Sequence, residues 1–157
     1  MKFVTHEAPV LRSESNYISR VDLERFGFPG LFEQVWLRQR EDGLFELCCI
    51  PFRIYGLALR DVVRATPDGS LVVEIAQPSG ARVLRVLLAP DQGHLETGRQ
   101  RIETATRDAG LLFEWSGDRH IAVDVPVGAD VDRLLRVVFE EENAGANWEW
   151  ADVEPFR

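Results

Sequence analysis

The hydrophobic period of this chain changes near residue 90. Upstream, short apolar alternations are cut by turn signals; downstream, Leu95, Gly98, Ile102, Ala105 and Ala109 step by three and four. A period of two sends alternate side chains to opposite faces of a strand, whereas a period near 3.6 stacks them along one helix face. Neither pattern settles into the other structure, so the switch divides the chain into a β-rich part and a part that mixes helices with strands.

Residues 34–40, 44–50, 61–65, 71–76 and 82–89 read as strands. They are separated by Glu41-Asp42-Gly43, by the break at Pro51, by Pro67-Asp68-Gly69-Ser70 and by Pro78-Ser79-Gly80. Such a run predicts a bent β-meander or small SH3-like barrel over residues 31–89. Residues 1–30 read as an irregular arm, broken by Gly27-Phe28-Pro29-Gly30 and docked through Val21, Phe26 and Phe28. From residue 82 the order is strand 82–89, a helix ending at Ala109 with Gly110 as its C′ residue, strand 111–115, turn 116–118, strand 119–125, a helix through Val131, Leu134, Leu135 and Val138 with Asp130 as N-cap, and strand 148–153. That βαββαβ order predicts a ferredoxin-like plait over 82–157, with strand 82–89 shared by both halves. The expected fold class is α+β.

In the plait, Leu84, Val86, Leu88, Leu111, Phe113, Trp115, Ile121, Val123, Val125, Trp148 and Trp150 alternate onto the face beneath the helices. Arg85, Glu114, His120, Asp124 and Glu149 then share the opposite face, as an open polar surface or one covered by the N-terminal half. These five are the candidate catalytic or ligand residues: Arg85 to hold an anion, and His120 with Glu114 or Asp124 to move protons.

Charge is distributed unevenly. The 157 residues carry a formal −8; residues 1–90 hold 11 Lys+Arg and 11 Asp+Glu, residues 91–157 hold 7 and 15, so the second part carries the whole imbalance. This argues against a nucleic-acid or membrane-surface partner. It points instead to a basic protein partner docking on Glu140, Glu141, Glu142, Trp148, Glu149, Asp152, Glu154 and Phe156. His6, His94 and His120 match no metal-ligand spacing, and phosphate-loop, dinucleotide and nucleophile-elbow motifs do not occur, so no metal or cofactor is expected. Cys48 and Cys49 are adjacent in an expected strand, which makes them buried thiols of a reducing cytoplasm. The start of the chain does not read as a secretory signal, and no apolar run reaches membrane-spanning length.

The stretch from Pro51 reads Pro-Phe-x-x-x-Gly-x-x-x-x-Asp-x-Val, with Gly56, Asp61 and Val63 at the marked positions. In this it resembles a bacterial, largely actinobacterial family catalogued as a domain of unknown function, from about Val21 to the Trp148-Glu149-Trp150 segment. The resemblance implies a soluble single-unit bacterial protein and carries over no catalytic residue. The family often has Gly where this chain has Arg60. Physically, Pro51 ends strand pairing, Gly56 frees the backbone, and Asp61 accepts local N–H groups ahead of the next strand.

The leading expectation is a small non-catalytic protein-binding module, of immunity, antitoxin or regulatory type. The alternative is an enzyme or small-molecule binder with its site on the polar sheet face or at the junction of the halves. A third reading is a structural homodimer joined through strand edges.

Overall fold

The two periods build two sheets. A computed structural model describes residues 1–153 and 156. The fold is α+β, with ten strands and two α-helices among the described residues. The first sheet holds β1 (Lys2–Val4), β2 (Tyr17–Asp22), β3 (Leu31–Gln39), β4 (Phe45–Leu47), β5 (Val62–Ala65) and β6 (Val72–Gln77). Its order is β1-β3-β4-β5-β6, with β2 on the other edge of β3. β1 runs parallel to β3, and the other pairings are antiparallel. The sheet curls until β6 approaches β2, where Arg20 N–H donates to Ser70 O at 3.1 Å and Arg20 bridges Leu71. Val21, Leu23, Val35, Leu37, Leu47 and Val63 fill the inside.

The second sheet holds β7 (Arg82–Leu87), β8 (Phe113–Ser116), β9 (His120–Val125) and β10 (Asn147–Trp150) in the antiparallel order β10-β7-β9-β8. Two helices, α1 (Gln92–Asp108) and α2 (Asp132–Asn143), pack on one face. Ile102, Leu134 and Val138 meet Leu84, Val86, Ile121 and Val123 there, with Phe113, Trp115, Trp148 and Trp150 at the margin. Asp91 caps α1 by accepting from Gly93 N–H at 3.0 Å, and Gly110, at φ +71°, follows its end. Gly98 lets α2 come close: a Cβ there would stand 3.0 Å from a carboxyl oxygen of Glu141.

Four expectations change. Residues 1–30 are not irregular throughout, since β1 and β2 both belong to the first sheet. Strand 82–89 is not shared: β7 pairs with β9 and β10. The reason lies at the preceding turn, where Asp61 Oδ1 accepts Ser79 N–H at 2.7 Å and holds the link from β6 while the chain leaves the first sheet. Strand 44–50 shortens to Phe45–Leu47 because Ile50 N–H donates to Glu114, across on the second sheet. The N-cap of α2 is Val131 and not the expected Asp130, which stands one residue further out and accepts from Asp132 N–H at 3.0 Å. Asp61 Oδ2 also accepts Ala58 N–H at 2.9 Å. The preceding residue, Arg60, is the non-glycine residue at φ +67°, a left-handed conformation where glycine carries no Cβ penalty.

The face of the second sheet away from the helices is covered. Ile50, Phe52, Ala58 and Leu59, from the segment linking β4 to β5, pack against Val83, Ala122 and Ala151. The five polar candidates therefore lie at or inside the junction between the halves, and Arg85, Glu114, His120 and Asp124 are buried there.

Candidate ligand site between the two sheets

Two polar clusters occupy the junction. The first is fully bonded. His6, in the link between β1 and β2, is held between two carboxyl groups: Nε2 lies 2.9 Å from Glu33 Oε1 on β3, and Nδ1 lies 2.7 Å from Glu114 Oε1 on β8. Glu33 also accepts Phe52 N–H at 2.7 Å and Arg53 N–H at 2.8 Å, and Glu114 accepts Ile50 N–H at 2.6 Å. The imidazole stacks on Phe52 with centroids 4.5 Å apart. Burial works against the charged imidazole, but Cys49, Glu114 and Glu33 outweigh it and hold the pKa well above the ordinary value. Burial likewise opposes ionisation of Glu33, but its bonds to His6, Phe52 and Arg53 keep its pKa low. Burial pushes the Cys49 thiol up, so a carboxylate is the natural partner for the imidazolium.

The second cluster is not fully bonded. A pocket of about 160 Å³ is lined by Arg53, Arg85, Leu87, His120, Asn147, Trp148 and Glu149. β7 supplies Arg85, β9 supplies His120, and β10 supplies Glu149, the register placing Glu149 beside Arg85. Arg85 is only 2% exposed; one terminal nitrogen donates to Ile54 O, Nη1 lies 3.6 Å from Glu149 Oε1, and the guanidinium sits over the Tyr55 ring. Two buried atoms of this cluster lack a hydrogen-bond partner among the described residues, Arg85 Nε and His120 Nδ1. Burial and the nearby Arg53 and Arg85 push His120 down to about 4, so the imidazole is neutral at physiological pH. Burial also lowers the pKa of Arg85, against the pull of Glu33 and Glu149.

Three of the five candidates therefore share one pocket: Arg85, His120 and Glu149. Glu114 belongs to the His6 cluster. Asp124 faces Arg60, with Oδ2 3.7 Å from Nη1, and burial pushes it up to about 6. The proton-handling pairings of His120 with Glu114 or Asp124 are thus replaced by separate partners for each carboxyl group. Sequence reasoning missed His6, Glu33 and Arg53 as members of these clusters. The Phe52-Arg53 N–H groups that Glu33 binds lie within the Pro-Phe motif, which was the one available signal.

The acidic group expected to receive a basic partner is largely engaged within the chain. Glu140 and Glu141 both contact Arg101, and buried Glu141 also meets His94 at 2.8 Å. Glu142 accepts the Trp148 indole N–H at 2.6 Å, Glu149 accepts the Tyr55 hydroxyl at 2.7 Å, and Asp152 meets Arg82 at 2.9 Å. Phe156 packs near Phe26 and Arg25. Glu154 lies outside the described residues. None of the helices among the described residues is long and apolar enough to cross a membrane.

Fold and site together define a two-sheet α+β protein with a cationic pocket where its halves meet. The family model described as "Domain of unknown function (DUF4265)" matches residues 33–150, and the chain belongs to that family. The match contains Arg53, Arg85, His120, Asn147 and Glu149, but not His6. A solved structure described as "Novel crystal structure of a hypothetical protein from Neisseria gonorrhoeae" is similar over 89% of this chain and 96% of that chain, with a TM-score of 0.63 and 18% identity. At that identity the likeness shows the fold. The curated proteins contain no match to the chain.

Proposed function

We propose that this protein binds a small anion in the pocket between its second sheet and the segment linking β4 to β5. The observation that carries the reading is that two residues lining one cavity, Arg85 and His120, each hold a buried nitrogen, Nε and Nδ1, without a partner among the described residues. Buried polar groups in native proteins are nearly always bonded, and an exception calls for a reason. A ligand carboxylate or phosphate oxygen at this position supplies the acceptor for Arg85, and a charge-assisted contact of that kind is stronger than a neutral one. Arg53, Arg85 and Glu149 leave the walls with one excess positive charge, which matches a monoanion.

This favours the small-molecule alternative over the acidic-surface module, whose described carboxylates have intramolecular partners. It is a binding reading without a reaction attached, because His120 is a weak base and lacks a carboxylate to orient it. We also infer that β7 to β10 with the two helices form a ferredoxin-like plait, which the order β10-β7-β9-β8 supports. The closure of β6 toward β2 supports an SH3-like barrel for the first sheet. Two free buried thiols favour a reducing cytoplasm.

The test is the NMR titration of His120 with and without acetate or inorganic phosphate. The free protein titrates near 4 at this residue, and a bound anion offsets Arg53 and Arg85 and moves that midpoint upward. A midpoint unmoved by saturating anion overturns the reading.

A further inference from the structure

The small pocket does not end at its own walls. A larger cleft of about 620 Å³, bounded by Arg25, Phe26, Tyr55, Trp150 and Val153, shares Trp148 and Glu149 with it. Glu149 is thus the divider between a cationic pocket and a roomy, aromatic-edged cleft. Its side chain is 42% exposed, so a ligand can reach it, while the Tyr55 hydroxyl fixes one oxygen at 2.7 Å. Its other oxygen lies 3.6 Å from Arg85 Nη1. Two opposite charges on the wall, this close together, are matched by two opposite charges on one small molecule.

We propose that the ligand is an α-amino acid with a large apolar side chain. Its carboxylate pairs with Arg85 and Arg53, its ammonium pairs with Glu149, and its side chain enters the cleft past Trp148. This deepens the anion-binding reading and rests on it. A simple monoanion satisfies Arg85 but leaves its non-polar end against the Glu149 carboxylate, whereas a dianion meets that carboxylate with excess negative charge. Only a ligand carrying both signs pairs with Arg85 and Glu149 together, and a polar group left unpaired at a binding site costs affinity. The volumes agree with this division: the small pocket takes the charged head, and the cleft has room for an aromatic or branched body.

The test compares L-phenylalanine with 3-phenylpropionate, which has the same carboxylate and ring without the ammonium, by calorimetry on the full chain. The wild-type protein prefers phenylalanine by about tenfold or more, the usual weight of a hydrogen bond to a charged group. Glu149→Gln reverses or abolishes that preference while still binding phenylpropionate, and Tyr55→Phe, which frees Glu149 from its anchor, narrows it. If phenylpropionate binds wild type as tightly as phenylalanine does, the amino-acid assignment is overturned while anion binding stands. If neither compound, nor acetate, nor phosphate binds wild type or Glu149→Gln, the anion-binding reading fails, and this inference fails with it.

Discussion

The two polar clusters at the junction both contain deeply buried ionisable side chains but differ in saturation. His6, Glu33 and Glu114 use their buried polar atoms on one another and on three backbone N–H groups. Arg85 and His120 each keep one buried nitrogen without a partner. The first cluster ties four separate segments to each other and gives a ligand nothing to bind. The second has donors to spare beside a cavity. Saturation is the difference that separates a clamp from a site.

The sharpest way to break this comparison is at Glu33. Glu33→Ala leaves a buried imidazolium with one partner and strips the acceptor from Phe52 and Arg53 N–H. Removing one member of a buried ion pair typically costs about 3–5 kcal/mol, read as a drop in unfolding free energy in urea. A loss below about 1 kcal/mol ends the description of this cluster as a clamp. Arg85→Met, in contrast, abolishes the anion-dependent shift of His120 while leaving the clamp intact.

The two histidines give the comparison a pH signature of opposite sign. His6 has a raised folded pKa, so its contribution is fully present below about 6.5 and is lost as pH rises through the folded value. His120 has a depressed folded pKa, so its neutral form contributes above about 6.5, and that contribution is lost as pH falls toward 4. The His120 limb amounts to on the order of 3 kcal/mol over that window. His120→Asn flattens the acid limb and His6→Asn the alkaline one, in unfolding free energy measured against pH. A variant that flattens the wrong limb reverses the assignment.

An effect of similar size to the His120 limb is expected at Asp124, which lies on the same sheet face outside both clusters. Its carboxyl is pushed up to about 6, so ionisation above that pH opposes folding. Asp124→Asn removes the opposition, giving a variant more stable by up to about 3 kcal/mol at pH 8 and unchanged below pH 4. A destabilised variant at pH 8 shows instead that the contact with Arg60 dominates.

Much of the second sheet was legible because strand alternation is a local signal. The alternation around Arg85, Glu114, His120, Asp124 and Glu149 assigned all five to the face opposite the helices without any long-range information. The first thirty residues were not, because β2 breaks the pattern. Ile18 is half-exposed while Ser19 is buried, since the strand lies between β3 and the approaching β6 and its burial is set by those neighbours. The His6 cluster was invisible for a related reason. Its three side chains are 27 and 108 residues apart along the chain, and each sits in an unremarkable local sequence. The internal contacts of the acidic run from Glu140 were not legible, because Arg101, Arg82, His94 and Trp148 reach its carboxylates only through tertiary packing.

His6 also bears on where this domain begins. The family match opens at Glu33, yet that residue's partner lies 27 positions upstream. A chain trimmed to 33–150 keeps Glu33 and Glu114 and discards the cation between them, leaving two acids facing a shared hole. Such a fragment is expected to fold best in acid, where protonation does what the imidazolium does in the longer chain. The stretch that the family match covers is shorter than the stretch whose side chains meet at this junction.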